Sequence, residues 1–178
     1  MAKTNPDSGS KGVQSSELDP VTFEVLRNSY SNLVDRMGEQ IKRTCYSLVI
    51  YNRDFANSLH DPEGNTIMQG TEDIASHVGT MHYTCQETID YFDGDINPGD
   101  VLMCNDPYLG GTHFNDVRIL RPIFYDGEFI AVSHSSAHWA DVGGPVPGGF
   151  NIEAKEFYEG GMRISPIKIW EDGEFRDD

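Results

Sequence analysis

The chain has 178 residues, 38% of them hydrophobic and 11% aromatic, a composition that builds one ordinary domain with a real core and excludes a disordered chain. Thirteen basic residues against 29 acidic ones give a formal net charge of −16, which repels phosphate backbones and anionic lipid, so nucleic acid and membrane surfaces are not expected partners. Three cysteines without a Cys-x-x-Cys spacing, no apolar run of about 18 residues and no apolar signal core point to free thiols and a cytoplasmic location. Only five of the basic residues are lysine, so the acid surplus also fits a salt-adapted cytoplasm.

Residues 1–18 are polar and read as a disordered tail. A long helix follows. Asp19 suits the N-cap and Pro20 the first helical position, and Val25, Leu26, Tyr30, Leu33, Val34, Met37, Ile41 and Cys45 recur as a helical stripe that should pack on a sheet. Phe55 to His60 reads as a strand, Asp61-Pro62-Glu63-Gly64 as a turn, and Thr66 to Gln69 as the returning strand. A second helix is predicted from about Thr80 to Phe92, with Met81, Cys85, Ile89 and Phe92 buried. Asn97-Pro98-Gly99-Asp100 is a turn before a short buried strand, Val101 to Cys104.

Val117 to Tyr125 and Glu128 to Ala137 then flank Asp126-Gly127, a favoured two-residue hairpin turn. In an unbroken register Asp116 lies opposite Ala137, so Asp116 and His138 point to opposite faces. One extra residue would bring them together, and Pro122 inside the first strand makes an irregularity reasonable, so a β-bulge is expected here. Ile167 to Trp170 is another strand, and Asp172-Gly173-Glu174-Phe175 repeats the sequence of the first hairpin turn. The chain stops just after this second turn, which suggests a fragment whose open edge would self-associate. The expected architecture is α+β: a hairpin-rich, mostly antiparallel mixed sheet with the long N-terminal helix packed on it.

His113, Asp116 and His138 are the residues best placed for chemistry. Two imidazoles and one carboxylate make an open site for zinc, manganese or iron, and Gly110-Gly111 before His113 lets backbone approach a ligand closely. His134 lies on the same strand face as His138 and is a possible fourth ligand or pocket residue, while His77 precedes a helix and can approach an anion or substrate. His60 and His82 read as surface or packing residues. Asp54, beside Arg53, is either an ion-pair partner or a general base; Asp106 and Asp141 either orient ligating histidines or cap turns. No glycine-rich nucleotide loop, no Gly-x-Ser-x-Gly elbow and no cysteine with an evident histidine partner is present, so any ATP must be bound by another subunit.

Asp19-Pro20-Val21-Thr22, Arg53-Asp54-Phe55, His77-Val78-Gly79-Thr80-Met81, Asn105-Asp106-Pro107-Tyr108, Gly110-Gly111-Thr112-His113, Ala137-His138-Trp139-Ala140-Asp141-Val142-Gly143-Gly144 and Gly161-Met162-Arg163-Ile164 form an ordered series. Together they resemble the hydantoinase B family, which includes subunits of N-methylhydantoinase, 5-oxoprolinase, caprolactamase and the acetone and acetophenone carboxylases. Its members are much longer, so residues 19–178 look like the N-terminal portion of such a domain. The resemblance implies a hetero-oligomer in which a hydantoinase A-type partner uses ATP and Mg²⁺ to phosphorylate the substrate. The B-type subunit then acts on the activated species at a divalent metal, zinc or manganese before iron. It implies His113, Asp116 and His138 as metal ligands and Asp54 as a catalytic carboxylate. The wording of the two histidine motifs looks more like the cyclic-amide hydrolases than the ketone carboxylases, which are the alternative. A non-haem iron oxygenase fits less well, because its usual His-x-Asp is here His-x-x-Asp, and a non-catalytic metal-stabilised assembly module is the rival outside enzymes.

Overall fold

A computed structural model describes residues 18–146, 148 and 151–177. Apart from Leu18, the expected tail lies outside the described residues. Helix α1 spans Pro20–Thr44, and the Asp19 carboxylate caps it by accepting from the backbone N–H of Val21 at 3.1 Å and Thr22 at 3.0 Å. Lys42 and Arg43 in its last turn complement the negative end of the helix dipole. The apolar stripe packs only over its second half: Val34 and Gly38 are buried, whereas Val21, Phe23 and Val25 are exposed. Gly38 permits the contact, since a Cβ there would meet the Phe55 ring at 3.1 Å.

A one-turn helix α2 (Leu48–Tyr51) leads to β1 (Phe55–His60), β2 (Thr66–Gln69), α3 (Ala75–Phe92), β3 (Val101–Cys104), β4 (Asp116–Tyr125), β5 (Glu128–His138), a 3₁₀ turn at Phe157–Gly160, β6 (Ile167–Glu171) and β7 (Glu174–Phe175). The strands form one sheet in the order β2-β1-β5-β4-β3-β6-β7, and every ladder is antiparallel. The α+β reading holds. The start of α3 differs from expectation, lying five residues before Thr80. Its N-cap is Ile74, which makes no side-chain cap, so the usual polar start signal is missing from the sequence.

The β4–β5 hairpin turns on Asp126 and Gly127, both with positive φ (54° and 84°), the pattern of a primed two-residue turn. Its register shifts between Ile123 and Phe124. Phe124 pairs with Phe129 but Ile123 pairs with Ala131, so Ile130 is the extra residue of a bulge. Beyond the bulge Asp116 lies opposite His138, as the sequence required. Pro122 is tolerated because β3 pairs only with Arg118 to Leu120, leaving the rest of β4 with β5 as its one neighbouring strand.

The two long helices cover opposite faces of the sheet. Gly38 of α1 meets Phe55 and Asn57, and Met37 contacts Ser133. On the other face α3 sets Met81 against Ser58 and His77 against Ser136. Under α3 the layer is apolar at one end, with Cys85, Leu102, Cys104, Leu120 and Val132 buried together. Toward the other end it turns polar, with His60, Ser58, His134, Ser136, Arg118, Asp116 and His138 all buried. A core contributes stability in proportion to the apolar area it buries, so a polar layer of this kind needs another reason to exist.

Candidate metal centre

The centre sits where β4 begins and β5 ends. The bulge places Asp116 and His138 opposite each other on one face, and His113 reaches the same point from the loop before β4. That loop is held down on α3: the Thr84 hydroxyl donates to the Gly110 carbonyl at 2.8 Å. Gly110 has φ +78°, and a Cβ there would stand 2.6 Å from the Thr84 backbone nitrogen. Gly110 therefore serves a close approach between loop and helix.

Asp116 Oδ1 is the hub. It stands 3.5 Å from His77 Nε2, from His113 Nδ1 and from His138 Nδ1, and one ligand atom from each of His113, Asp116 and His138 lies within 4.8 Å of the others. These separations are long for hydrogen bonds. Those to His113 and His138 match donors around a common ion, because two atoms each about 2.1 Å from a tetrahedral cation are roughly 3.4 Å apart. Asp116 is 2% exposed and its Oδ1 accepts no hydrogen bond, a costly state for a buried carboxylate oxygen that a cation would relieve. The other oxygen accepts from the Thr112 hydroxyl, which fixes the carboxylate plane. His113 is half exposed and meets the buried His138 ring edge-on, with centroids 4.9 Å apart, so the centre opens to solvent on one side. The donor set and the geometry fit a divalent cation.

Asp54 and His77 complete the surroundings. Asp54 does not pair with Arg53, whose guanidinium goes to Glu39 at 2.8 Å and Glu72 at 2.5 Å. Its carboxylate instead lies 3.2 Å from His77 Nε2 and 3.8 Å from His138 Nδ1, and it is one-third exposed. An ionised carboxylate only accepts, so His77 Nε2–H donates to Asp54, and His77 Nδ1 accepts from the Ser136 hydroxyl at 2.7 Å. Burial pushes the His77 pKa down, partly opposed by Asp116 and Asp54.

The remaining candidates lie elsewhere. Asp106 accepts from the Tyr108 backbone N–H in its own turn and ties that turn to Arg163 at 2.6 Å, and Asp141 accepts from the N–H groups of Gly143 and Gly148 in its own loop. His134 shares the face of His138, but its ring neighbours His60, with centroids 5.3 Å apart, and it belongs to a second group with His60 and Cys85. The expectation that no cysteine has a histidine partner is corrected there: Cys85 on α3 faces two strand histidines. His60 is wholly buried, and burial lowers its pKa to about 4.

Sequence reading passed over two supporting residues. Arg118 is buried two residues after Asp116, donating to the Asp116 carbonyl at 2.9 Å and to the Thr80 hydroxyl at 3.2 Å. Ser136 lies between His134 and His138 on the same face, so strand alternation alone pointed to it.

Comparison with known proteins places the chain in a family. The hydantoinase B/oxoprolinase family model matches residues 19–178. The chain is 36% identical over 162 residues to the caprolactamase beta subunit of Pseudomonas jessenii, covering 90% of this chain and 28% of that protein. It is 32% identical over 164 residues to the 5-oxoprolinase of Saccharomyces cerevisiae, covering 91% of this chain and 13% of that protein. The crystal structure of the ATP-dependent caprolactamase from Pseudomonas jessenii superposes with a TM-score of 0.80 at 32% identity, over 90% of this chain and 28% of that one. A nucleotide-free acetone carboxylase structure superposes at 0.81 with 22% identity, over 90% of this chain and 21% of that one, a likeness of fold alone. The chain therefore spans between 13% and 28% of the length of these relatives. No helix among the described residues is long and apolar enough to cross a membrane. With the match running from the cap of α1 to the end of the chain, the protein belongs to the hydantoinase B/oxoprolinase family.

Proposed function

We propose that this chain carries the metal-binding part of a hydantoinase B-type subunit of an ATP-dependent cyclic-amide hydrolase. In this reading it acts in the cytoplasm on a substrate phosphorylated by a hydantoinase A-type partner. The observation that carries the proposal is the position of Asp116 Oδ1, buried, without a hydrogen bond and 3.5 Å from both His113 and His138. His113, Asp116 and His138 would hold a divalent cation, zinc or manganese before iron. When bound, the cation supplies Lewis acidity toward a water or substrate oxygen. The hydrolase branch is favoured over the carboxylase branch because the caprolactamase and 5-oxoprolinase relatives are similar in sequence, whereas the acetone carboxylase likeness is one of fold.

The chain's own residues divide the work. Asp116 brings the negative charge, and the Thr112 hydroxyl and the Arg118 grip on its carbonyl hold it in place. Asp54 is the carboxylate open to solvent beside the centre, with Oδ1 engaged by His77 and Oδ2 facing His138, so Oδ2 is the atom placed to take a proton from an attacking water. His77, kept largely neutral by burial, positions Asp54 through one nitrogen and is itself held by Ser136 through the other. His113, the exposed ligand, marks the side from which substrate enters.

Elemental analysis of the purified chain beside His113→Ala and Asp116→Ala tests the metal. Each variant should lose one equivalent of bound cation relative to wild type. Equal metal in all three proteins would remove the site. Adding the A-type partner, ATP and a set of cyclic amides, with Asp54→Asn beside wild type, tests the chemistry. The expected result is ATP-dependent ring opening reduced by about 100-fold or more in Asp54→Asn, in line with the loss of a general base.

A further inference from the structure

We propose that His60, Cys85 and His134 form a second metal site, closed and buried, for a thiophilic d¹⁰ cation, Zn²⁺ or Cu⁺. The three residues come from β1, α3 and β5, are each fully buried, and offer ligand atoms that all lie within 4.8 Å of one another. Their neighbourhood is built for ligation. The Gly64 carbonyl lies 3.0 Å from His60 Nδ1, and a carbonyl only accepts, so Nδ1 carries the proton and the His60 lone pair is on Nε2, where a bound cation would replace the Ser58 hydroxyl that donates to it at 2.6 Å. A ring N–H anchored on a backbone carbonyl is the usual support of a metal-ligating histidine. The anchor is itself fixed: Gly64 has φ +83° and is pressed so closely on Gln86 of α3 that a Cβ would come within 2.6 Å of that side chain and 2.8 Å of its backbone nitrogen.

His134 is the second, independent sign. It is fully buried, and neither ring nitrogen has a hydrogen-bond partner. A neutral imidazole has one donor and one acceptor, and interiors almost always satisfy both. Packing alone would favour an apolar residue of similar size at this position. A ligating role accounts for the acceptor nitrogen and for the thiol of Cys85 turned toward it.

The donors decide the class of cation. Two imidazoles and a thiolate suit Zn²⁺ and Cu⁺ and disfavour Mg²⁺ or Mn²⁺, which take oxygen. Met81 lies one helical turn before Cys85, with its thioether 3.5 Å from Ser58 Oγ, the oxygen that also meets His60 Nε2 at 2.6 Å. A soft sulfur therefore borders the site. On binding, the Cys85 S–H bond breaks, the sulfur–metal bond forms and the proton leaves to solvent. Cu⁺ leaves the cluster neutral and Zn²⁺ leaves it with one positive charge. Either cation would tie α3 to β1 and β5, and α3 carries His77 into the first centre.

Cobalt(II) as a stand-in for Zn²⁺ gives the direct test, because the His113–Asp116–His138 centre contains no sulfur. The metal-free chain, titrated with Co²⁺, should develop a thiolate-to-cobalt charge-transfer band whose amplitude corresponds to one bound equivalent. The band should persist in His113→Ala and vanish in Cys85→Ser and His134→Gln. In parallel, Cu⁺ is delivered from a chromophoric chelator under anaerobic conditions, and wild type should remove one equivalent more than Cys85→Ser does. Either arm alone supports the site and names its cation. A folded wild type that shows no sulfur band and takes no more Cu⁺ than Cys85→Ser overturns it, as does a band that survives in Cys85→Ser. Where Cys85→Ser fails to fold, His134→Gln, which keeps every thiol, gives the same comparison.

Discussion

Two groups of metal-type donors gather at the same face of one sheet but differ in their surroundings. His113, Asp116 and His138 gather at the end of the β4–β5 hairpin, with one of the three half exposed and a second carboxylate, Asp54, alongside. His60 at the end of β1, Cys85 on α3 and His134 within β5 meet between helix and sheet, all fully buried. An oxygen-containing set with an open side suits chemistry on a substrate; a sulfur-containing set without one suits holding elements together. In the proposed reading, chain position along β5 separates reactivity from support over four residues, His134 to His138.

The comparison breaks most severely if the closed half is not a true core. Leu120 lies opposite His134 across the β4–β5 ladder and is fully buried. Leu120→Ala should destabilise the metal-free chain by about 2–5 kcal/mol in urea unfolding. A loss below about 1 kcal/mol would mean that this layer is loosely packed and that the closed character of the second group is wrong. At the open end the expected sign is different. Asp116→Asn removes the charge at the hub, and cation affinity there should fall by about 100-fold or more, beyond the ~10–100-fold typical of lost supporting contacts. Because Asp116 Oδ1 accepts no hydrogen bond, the same change should leave the metal-free stability within about 1 kcal/mol of wild type or raise it. Unfolding and metal titration on one protein sample check both halves of that statement.

The contrast also explains what could be read from the chain. The hairpin, its bulge and the meeting of Asp116 with His138 followed from turn chemistry and the two-residue period of a strand, which are local rules. The cap of α1 followed from Asp19-Pro20 in the same way. The second group was not legible, because His60, Cys85 and His134 are brought together by the β1–β5 ladder and by α3 crossing over it, both long-range pairings. His77 was placed before its helix because Ile74 gives no cap signal, and its contact with Asp54 spans 23 residues. Asp106 resembled a supporting carboxylate in its motif, yet its partner Arg163 lies 57 residues on.

A smaller effect is expected on the alkaline side. Burial raises the thiol pKa of Cys104, with the Thr88 hydroxyl partly opposing, and burial raises that of Cys85 in the same direction. A thiol whose folded pKa lies above its unfolded value contributes stability that is fully present below the unfolded value, about 9, and is lost as pH rises through the folded one. The metal-free chain should therefore weaken steadily above pH 9. Cys104→Ala should flatten that slope, while Cys45→Ala, at a half-buried thiol outside the sheet, should not. Equal slopes in both variants would show that the buried layer opens to solvent before the thiols ionise.

The smallest effect concerns the surface, where neither group of donors takes part. A net charge of −16 makes the folded chain repel itself, and salt screens that repulsion over a Debye length of about 8 Å at 0.15 M. If the scarcity of lysine reflects adaptation to a salty interior, the melting temperature should climb with KCl. A gain of about 1 kcal/mol corresponds to roughly 2–4 °C for a chain of this size. The two donor groups predict a difference within that rise. Screening weakens attraction of a cation to the half-exposed first centre, so its apparent affinity should fall as KCl increases, whereas the buried second group should hold its cation unchanged. A parallel decline at both would mean that the second group is reached by solvent and that the division between an open and a closed site does not exist.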